Sequence, residues 1–383
     1  MKRYLKTIVE QFEIAGQVER IEPFGGGHIN DTYSVQTGRD GSTVRYILQR
    51  INHKVFRDPF ALMDNVIRVT EHIRRKTAQC NPALAARQLR VIRTRDQAGC
   101  YRCPEGNYWR MYNRIEATAS YDVLSSPAQA YEAARMFGAF QKMLSDLPGG
   151  PLHETIPDFH YTPKRLEAFG KVLDKDPCNR AAQVKEEIAF VQNHAEICSV
   201  LVDLQNQGKI PVRVTHNDTK INNVLFDRTT DKGVCVIDLD TVMPGLSLYD
   251  VGDMVRTATC PAAEDERDLS KVWMDISLFE PIARGFAVEA EAFFTPTEKQ
   301  YLAFAGQLIT FEQMIRFLGD YLAGDVYYKI ARSEHNLDRA RTQMKLVQSM
   351  IEQQERMNRI TEIIWRDAAR SAVSGRTGQC ASL

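Results

Sequence analysis

The chain shows no excess of either charge: its 383 residues carry 49 Lys and Arg against 49 Asp and Glu. Binding to nucleic acid or an anionic membrane calls for a basic stripe and a raised pI, so neither partner is expected. Apolar runs of the 18 or more residues that span a membrane are also missing, and Lys6, Glu10, Gln11 and Glu13 break up any signal-like core in the opening segment. Cysteine is sparse: of eight, only Cys100 and Cys103 stand at C-x-x-C spacing, with no second pair or nearby histidines to complete a zinc site. These absences lead us to expect reduced thiols in a cytoplasmic protein. What the chain does have is 44% hydrophobic and 9% aromatic residues, enough to bury a core without metal or disulfide staples. At roughly 100–200 residues per domain, this length suggests two lobes, or three domains at most.

The patterning divides the chain. A helix is expected over residues 4–14. Alternation of apolar and polar residues over 18–48, with glycines at Gly25 to Gly27, Gly38 and Gly41, reads as a β-meander. Leu62, Val66, Val69 and Ile73 give residues 58–76 helical spacing, and strands are expected at 88–94 and 108–112. From Pro127 onward helices dominate, with long patterns at 127–148, 181–207, 297–322 and 336–364, the last broken at Gln354. Between them, residues 212–243 form a β-rich island carrying acidic residues. The expectation is α+β: a small antiparallel β-rich lobe over 1–112, a larger, mainly helical lobe over 113–371 and a loose tail over 372–383. The switch at 111–114 would be a hinge beside a nucleotide cleft.

The island holds the strongest chemical signal, VTHNDTKINNVLFD followed by VCVIDLDTVMPG. Asp218, Lys220 and Asn223 fit the kinase catalytic-loop spacing H-x-D-x-x-x-x-N, and Asp238 follows after one short strand pattern. In that chemistry a carboxylate accepts a hydrogen bond from the attacking hydroxyl, while an amide oxygen and a second carboxylate grip magnesium at the phosphates. Asp218 is the candidate base, Asn223 and Asp238 the candidate metal ligands, and Lys220 the cation that neutralises the transferring phosphoryl group. Singly, each has a bland alternative as a turn or cap residue. Jointly, and followed by a buried strand ending in Asp-x-Asp, they are a strong match.

With these residues in view, the chain resembles the aminoglycoside phosphotransferase and choline kinase superfamily, whose members share the protein-kinase-like fold. It is most similar to bacterial N-acetylhexosamine 1-kinases. The likeness rests on FGGGHINDTYSV, YILQRIN, Asp158-Phe159-His160, HNDTKINNVLFD, DLDTVMPG, YDVGDMVRT and FEQMIRFLGDYLAGDVYY, spread over residues 24–328. It implies ATP- and Mg2+-dependent phosphorylation of the anomeric hydroxyl of N-acetylglucosamine or N-acetylgalactosamine. The alternatives are another small-molecule kinase of this fold, for choline, homoserine, a hexose or an aminoglycoside, or a nucleotide-binding pseudokinase.

Gly25, Gly26, Gly27 and Asn30 lie between two strand patterns, where glycines let backbone approach phosphates; an ordinary hairpin turn is the competing reading. A kinase also places a lysine on its third strand. YILQRIN offers Gln49 and Arg50 instead, which makes Arg50 the candidate substitute and Glu71 its possible partner or a plain surface charge. By resemblance, His28, Arg316 and Tyr327 contact the sugar and Trp365 stacks on it, although core packing is the simpler fate of Trp365. Glu312, Arg316 and Asp320 recur every four residues on a stripe continuing an apolar face. Asp250 reads first as a helix cap and second as a brace for the catalytic segment; His216 is expected to orient backbone, and His160 carries no assigned chemistry. A polycationic acceptor would need an acidic lobe, yet residues 291–383 hold 12 Lys and Arg against 11 Asp and Glu. That balance favours a neutral acceptor.

Overall fold

The computed structural model describes residues 2–25, 29–39, 41–124 and 126–374. Helix α1 (Lys2–Val9) precedes three antiparallel strands, β1 (Gln17–Pro23), β2 (Asp31–Arg39) and β3 (Ser42–Ile51). Asp58 then caps α2 (Pro59–Cys80), accepting from the Phe60 and Ala61 N–H groups with Pro59 at the first turn. After α3 (Pro82–Ala86), strands β4 (Val91–Ile92), β5 (Tyr101–Arg102) and β6 (Tyr108–Asn113) complete a sheet of order β1-β2-β3-β6-β4, with β5 also on β6.

Beyond the sheet come β7 (Thr118–Ala119) and the helices α4 (Pro127–Leu144), α5 (Thr162–Lys175), α6 (Lys185–Asn193) and α7 (Val200–Asn206). The island folds as β8 (Arg213–Thr215), β9 (Val224–Asp227), β10 (Gly233–Val236) and β11 (Met243–Gly245), paired as β10-β9-β7 and β11-β8. Six helices close the chain: α8 (Ser247–Ala258), α9 (Ile276–Ala290), α10 (Pro296–Gln300), α11 (Leu302–Ala323), α12 (His335–Glu352) and α13 (Gln354–Ser374). The α+β organisation therefore matches the sequence pattern: antiparallel sheet first, helices after. Among the described residues no helix is long and apolar enough to cross a membrane.

Side-chain alternation gives the large sheet two buried faces. Tyr46 and Leu48 of β3, with Trp109 and Met111 of β6, pack beneath Leu5, Ile8 and Val9 of α1. Their strand neighbours Ile47, Ile51, Tyr108 and Tyr112 face the other way, into the main core with Phe137, Phe140, Phe279 and Phe286. Helices α8 and α11 meet so closely that a Cβ on Gly252 would stand 2.3 Å from the Ala305 carbonyl oxygen. Only glycine permits that approach, which brings the catalytic-loop side of the molecule against α11.

Several element boundaries differ from the sequence pattern. The opening helix ends at Val9, and only Val91–Ile92 of 88–94 is strand. Residues 181–207 are not one helix but a 3-10 turn (Ala181–Gln183) followed by α6 and α7, which a second 3-10 turn (Ala195–Cys198) joins, with breaks at Val184, His194 and Ser199. The last helical pattern splits at Gln353, and α13 continues through Ser374 into the segment expected as tail.

Candidate active site

Two loops of the island carry the candidate catalytic residues, and both contain a residue in the left-handed region, where a non-glycine residue needs support from its surroundings. Asn217 has φ 63° and Asp238 φ 61°. Asn217 Nδ2 donates to the Thr241 carbonyl (2.9 Å), and Thr241 Oγ1 donates to the His216 carbonyl (2.7 Å), so each loop fixes the other. Asp250, fully buried on α8, supplies the foundation. Its carboxylate accepts from the backbone N–H groups of His216 (2.9 Å) and Asn217 (2.7 Å) and from Gln141 Nε2 (2.6 Å), while its carbonyl accepts from Thr219 Oγ1 (2.6 Å). The helix it sits on has no side-chain cap. The capping reading of Asp250 is thus replaced by the bracing one. His216 accepts at Nδ1 from the Asp218 N–H (3.3 Å) and donates from Nε2 to the Ile237 carbonyl (2.9 Å), wedged edge-on against Phe137 and Phe140.

On this base Asp218 and Asn223 are brought together: Asn223 Nδ2 donates to the Asp218 carbonyl at 2.8 Å and its carboxylate at 3.3 Å. With the amide nitrogen so engaged, Asn223 Oδ1 is the atom left for a cation. Lys220 Nζ lies 2.9 Å from Asp218 Oδ1. Burial works against the Asp218 charge, but Lys220 and then His216 outweigh it and hold the carboxyl below its usual range. The Lys220 ammonium is in turn raised, chiefly by Asp218. Asp238 behaves oppositely: desolvation first, then the Asp240 and Asp218 carboxylates, push it up to about 6. A carboxyl crowded by others of its own charge is a fitting ligand for a cation. Among the described residues no three His, Cys, Asp or Glu side chains cluster as a metal site.

The sheet contributes differently from expectation. Gly25 takes a left-handed turn (φ 72°), whereas Gly26, Gly27 and His28 lie outside the described residues. Asn30 Nδ2 donates to Asp240 Oδ2 (2.7 Å), and its Oδ1 accepts from the Asn52 N–H (3.0 Å). Arg50 does not fill the lysine position. It shares a β3 face with Tyr46 and Leu48, away from the main core, and its Nε donates to Asp31 (2.7 Å), its cross-strand partner. Glu71 pairs instead with Arg93 (2.6 Å). The cation that does reach the Asp-x-Asp segment is Arg110 of β6, only 1% exposed, in a forked ion pair with Asp240. Sequence reasoning missed it, because one arginine in an alternating strand reads as a solvent-facing residue.

Across from Asp218, the charges of the α11 stripe each find separate partners. Glu312 is buried and accepts from Thr162 Oγ1 (2.6 Å) and lies 2.9 Å from His160 Nδ1, whose Nε2 reaches the Asn217 carbonyl (3.0 Å). His160 is therefore a strut between α11 and the catalytic loop, a role its sequence context did not reveal. Burial opposes its protonation, but Glu312 more than offsets this and raises its pKa; burial likewise opposes the Glu312 charge, and His160 reverses it. Because the His160 value is raised, the pair's contribution is complete below the unfolded histidine pKa of about 6.5 and lost as pH climbs through the folded one. The Glu312 value is lowered, so the acid limit lies below the unfolded glutamate pKa of about 4.3. His160→Gln is expected to cost about 3–5 kcal/mol. The Tm deficit should be largest between about pH 5 and 6.5 and shrink in alkali; a deficit independent of pH would contradict this.

Arg316 stands between the rings of Phe159 (5.6 Å) and Tyr328 (5.7 Å) and donates to Gln313 Oε1 (3.2 Å). Among the described residues it forms no ion pair. Neighbouring Arg165 donates to the Phe159 carbonyl (2.8 Å), and its pKa is lowered by burial and by Arg316. Asp320 accepts from the backbone N–H groups of Val326 (3.0 Å), Tyr327 (2.8 Å) and Tyr328 (2.9 Å) and from Asn336 Nδ2 (2.9 Å), shaping the loop that presents the exposed Tyr327 ring. Trp365 does not join this group. It is buried against Phe294 (5.7 Å), its Nε1 donates to the Lys299 carbonyl (3.2 Å), and the Lys299 ammonium lies over its ring. Its expected stacking on substrate is therefore withdrawn in favour of packing.

An aminoglycoside phosphotransferase of Alicyclobacillus acidocaldarius superposes with a TM-score of 0.54 at 12% identity, covering 95% of this chain and 96% of its own. A spectinomycin phosphotransferase, solved with ADP and spectinomycin, gives 0.53 at 11% identity over 91% and 97%. Choline kinase of Cryptosporidium parvum gives 0.51 at 13% identity over 94% and 98%. These likenesses establish a shared protein-kinase-like fold. The sequence itself matches the phosphotransferase enzyme family over residues 20–272, well over half its length, and the chain belongs to that family.

Proposed function

We propose that this phosphotransferase is an ATP- and Mg2+-dependent kinase that phosphorylates the anomeric hydroxyl of N-acetylglucosamine or N-acetylgalactosamine. In this reading Asp218, kept ionised by Lys220, orients the acceptor hydroxyl and takes its proton during in-line attack on the γ-phosphorus. Lys220 exchanges Asp218 for the developing phosphoryl charge. Asn223 Oδ1 and Asp238 would hold Mg2+, which would supply charge neutralisation at the phosphate oxygens.

The observation that carries the acceptor class is the pair Arg165 and Arg316, two cations without carboxylate partners among the described residues, beside aromatic Phe159 and Tyr328. A polycationic antibiotic or choline would bring like charge against them. A neutral sugar offers hydroxyl and amide oxygens to the guanidinium and an apolar ring face to the aromatics. The test is phosphoryl transfer from ATP with Mg2+ to a panel of N-acetylglucosamine, N-acetylgalactosamine, glucose, homoserine, choline and an aminoglycoside, with 31P NMR identifying an anomeric phosphate. Transfer confined to the acetylated sugars is expected; no product with either removes the reading. Arg316→Met should raise the sugar KM about ten- to a hundredfold, the worth of a charged hydrogen bond, and leave the ATP KM near its original value. An unchanged sugar KM would exclude Arg316 from the acceptor site.

A further inference from the structure

The third strand of the sheet lacks the lysine that kinases of this fold use at the phosphates, and the structure shows what occupies its surroundings. Gln49 stands on the β3 face turned toward the main core. Its Oε1 accepts from Arg110 Nε (2.9 Å), and its Nε2 donates to Thr32 Oγ1 (3.1 Å). Gln49 thereby aims a guanidinium that arises one strand away, in register opposite it on β6. The fork of Arg110 takes both oxygens of Asp240, and Asn30 takes a second bond on Oδ2.

Three consequences follow from this bonding. Asp240 has both carboxylate oxygens committed to protein, so Asp238 is the member of the Asp-x-Asp pair left for a cation. The left-handed backbone of Asp238 is anchored two residues on by Asp240, whose carbonyl also accepts from Thr155 Oγ1 (2.9 Å). And Asn30, which immediately precedes β2 and is tied to the Asn52 N–H, meets the metal-ligand segment at the same carboxylate. Asn30, β6 and the Asp238 segment thus meet at one ion pair whose two side chains are 1% and 5% exposed.

We infer that Arg110 is a positioning residue which, acting through Asp240, sets Asn30 and the Asp238 carboxylate at the spacing required by a Mg2+-bound nucleoside diphosphate. The inference rests on the nucleotide-binding part of the proposed function. A buried ion pair is a poor stabiliser, since replacing both members with apolar side chains is often neutral for folding. A residue that orients a metal ligand has a different signature, a loss of about 10–100-fold in metal affinity or activity.

The experiment separates these roles. Mg·ADP affinity is measured by calorimetry, with Tm and the acceptor KM alongside, for the wild type, Arg110→Lys, Asn30→Ala and the double variant Arg110→Met with Asp240→Leu. The double variant should keep a Tm near that of the wild type and an unchanged acceptor KM, yet bind Mg·ADP about 10–100-fold more weakly. Arg110→Lys, a point charge lacking the fork, should recover part of the affinity. Asn30→Ala, which leaves no buried charge unpaired, should weaken Mg·ADP binding without affecting the acceptor KM. Wild-type Mg·ADP affinity in the folded double variant overturns the inference; should that variant fail to fold, wild-type affinity in Asn30→Ala overturns it. If the wild type itself binds no Mg·ADP, the nucleotide reading falls, and this inference with it.

Discussion

Asp218→Asn is expected to lower kcat about 10²–10⁴-fold, the range attributable to a positioned general base, while Mg·ADP binding stays near that of the wild type. The substitution conserves shape, so the Asn223 bond to the residue 218 carbonyl survives, and what disappears is the proton acceptor together with the charge facing Lys220. Loss of turnover with retained nucleotide affinity separates a failure of chemistry from a failure of binding. Near-normal turnover in this variant would dismiss Asp218 as the base.

The second large effect is structural. Asp250→Ala removes the acceptor of three buried donors, the His216 and Asn217 N–H groups and Gln141 Nε2. Each orphaned donor costs about 1–3 kcal/mol. After partial relaxation the total should be about 3–5 kcal/mol, which for a chain of this length lowers Tm by roughly 5 °C. Because the freed peptides carry Asp218, kcat should fall further than the fraction unfolded accounts for. Asp250→Asn keeps one acceptor oxygen and should land between the two. Chemical denaturation with parallel kinetics checks this, and wild-type stability in Asp250→Ala would show that the loop stands without its brace.

How far the sequence reveals this molecule depends on whether a residue's partner lies nearby in the chain. The meander, the capped start of α2 and the catalytic loop are local patterns with local physics, and each is readable from its own residues. Across the breaks at Val184, His194 and Ser199, Val184, Val191 and Cys198 pack with Phe311, Leu318 and Leu337 of α11 and α12, contacts that the helical spacing of 181–207 does not record. Helix α9 was obscured by Pro281 in its interior, ordinarily a helix-breaking signal. The same rule governs the site. Asp218 and Asn223 lie five residues apart and are legible together, whereas Arg110 and Asp240 lie 130 apart and His160 and Glu312 lie 152 apart. Arg50 is suggested by its place on the third strand, but strand alternation carries it to the opposite face against Asp31, and Trp365 takes the simpler of its two readings, packed against Phe294.

The carboxylate of Asp320 grips three successive peptide nitrogens and no side chain of Val326, Tyr327 or Tyr328. A turn held by its main chain keeps its course when its side chains are exchanged. Positions 326 and 327, both exposed, therefore form a mounting on which different recognition groups can be fitted without redesigning the frame, and new acceptor preferences should be obtainable by randomising those two residues while Asp320 and the packed Tyr328 are left in place.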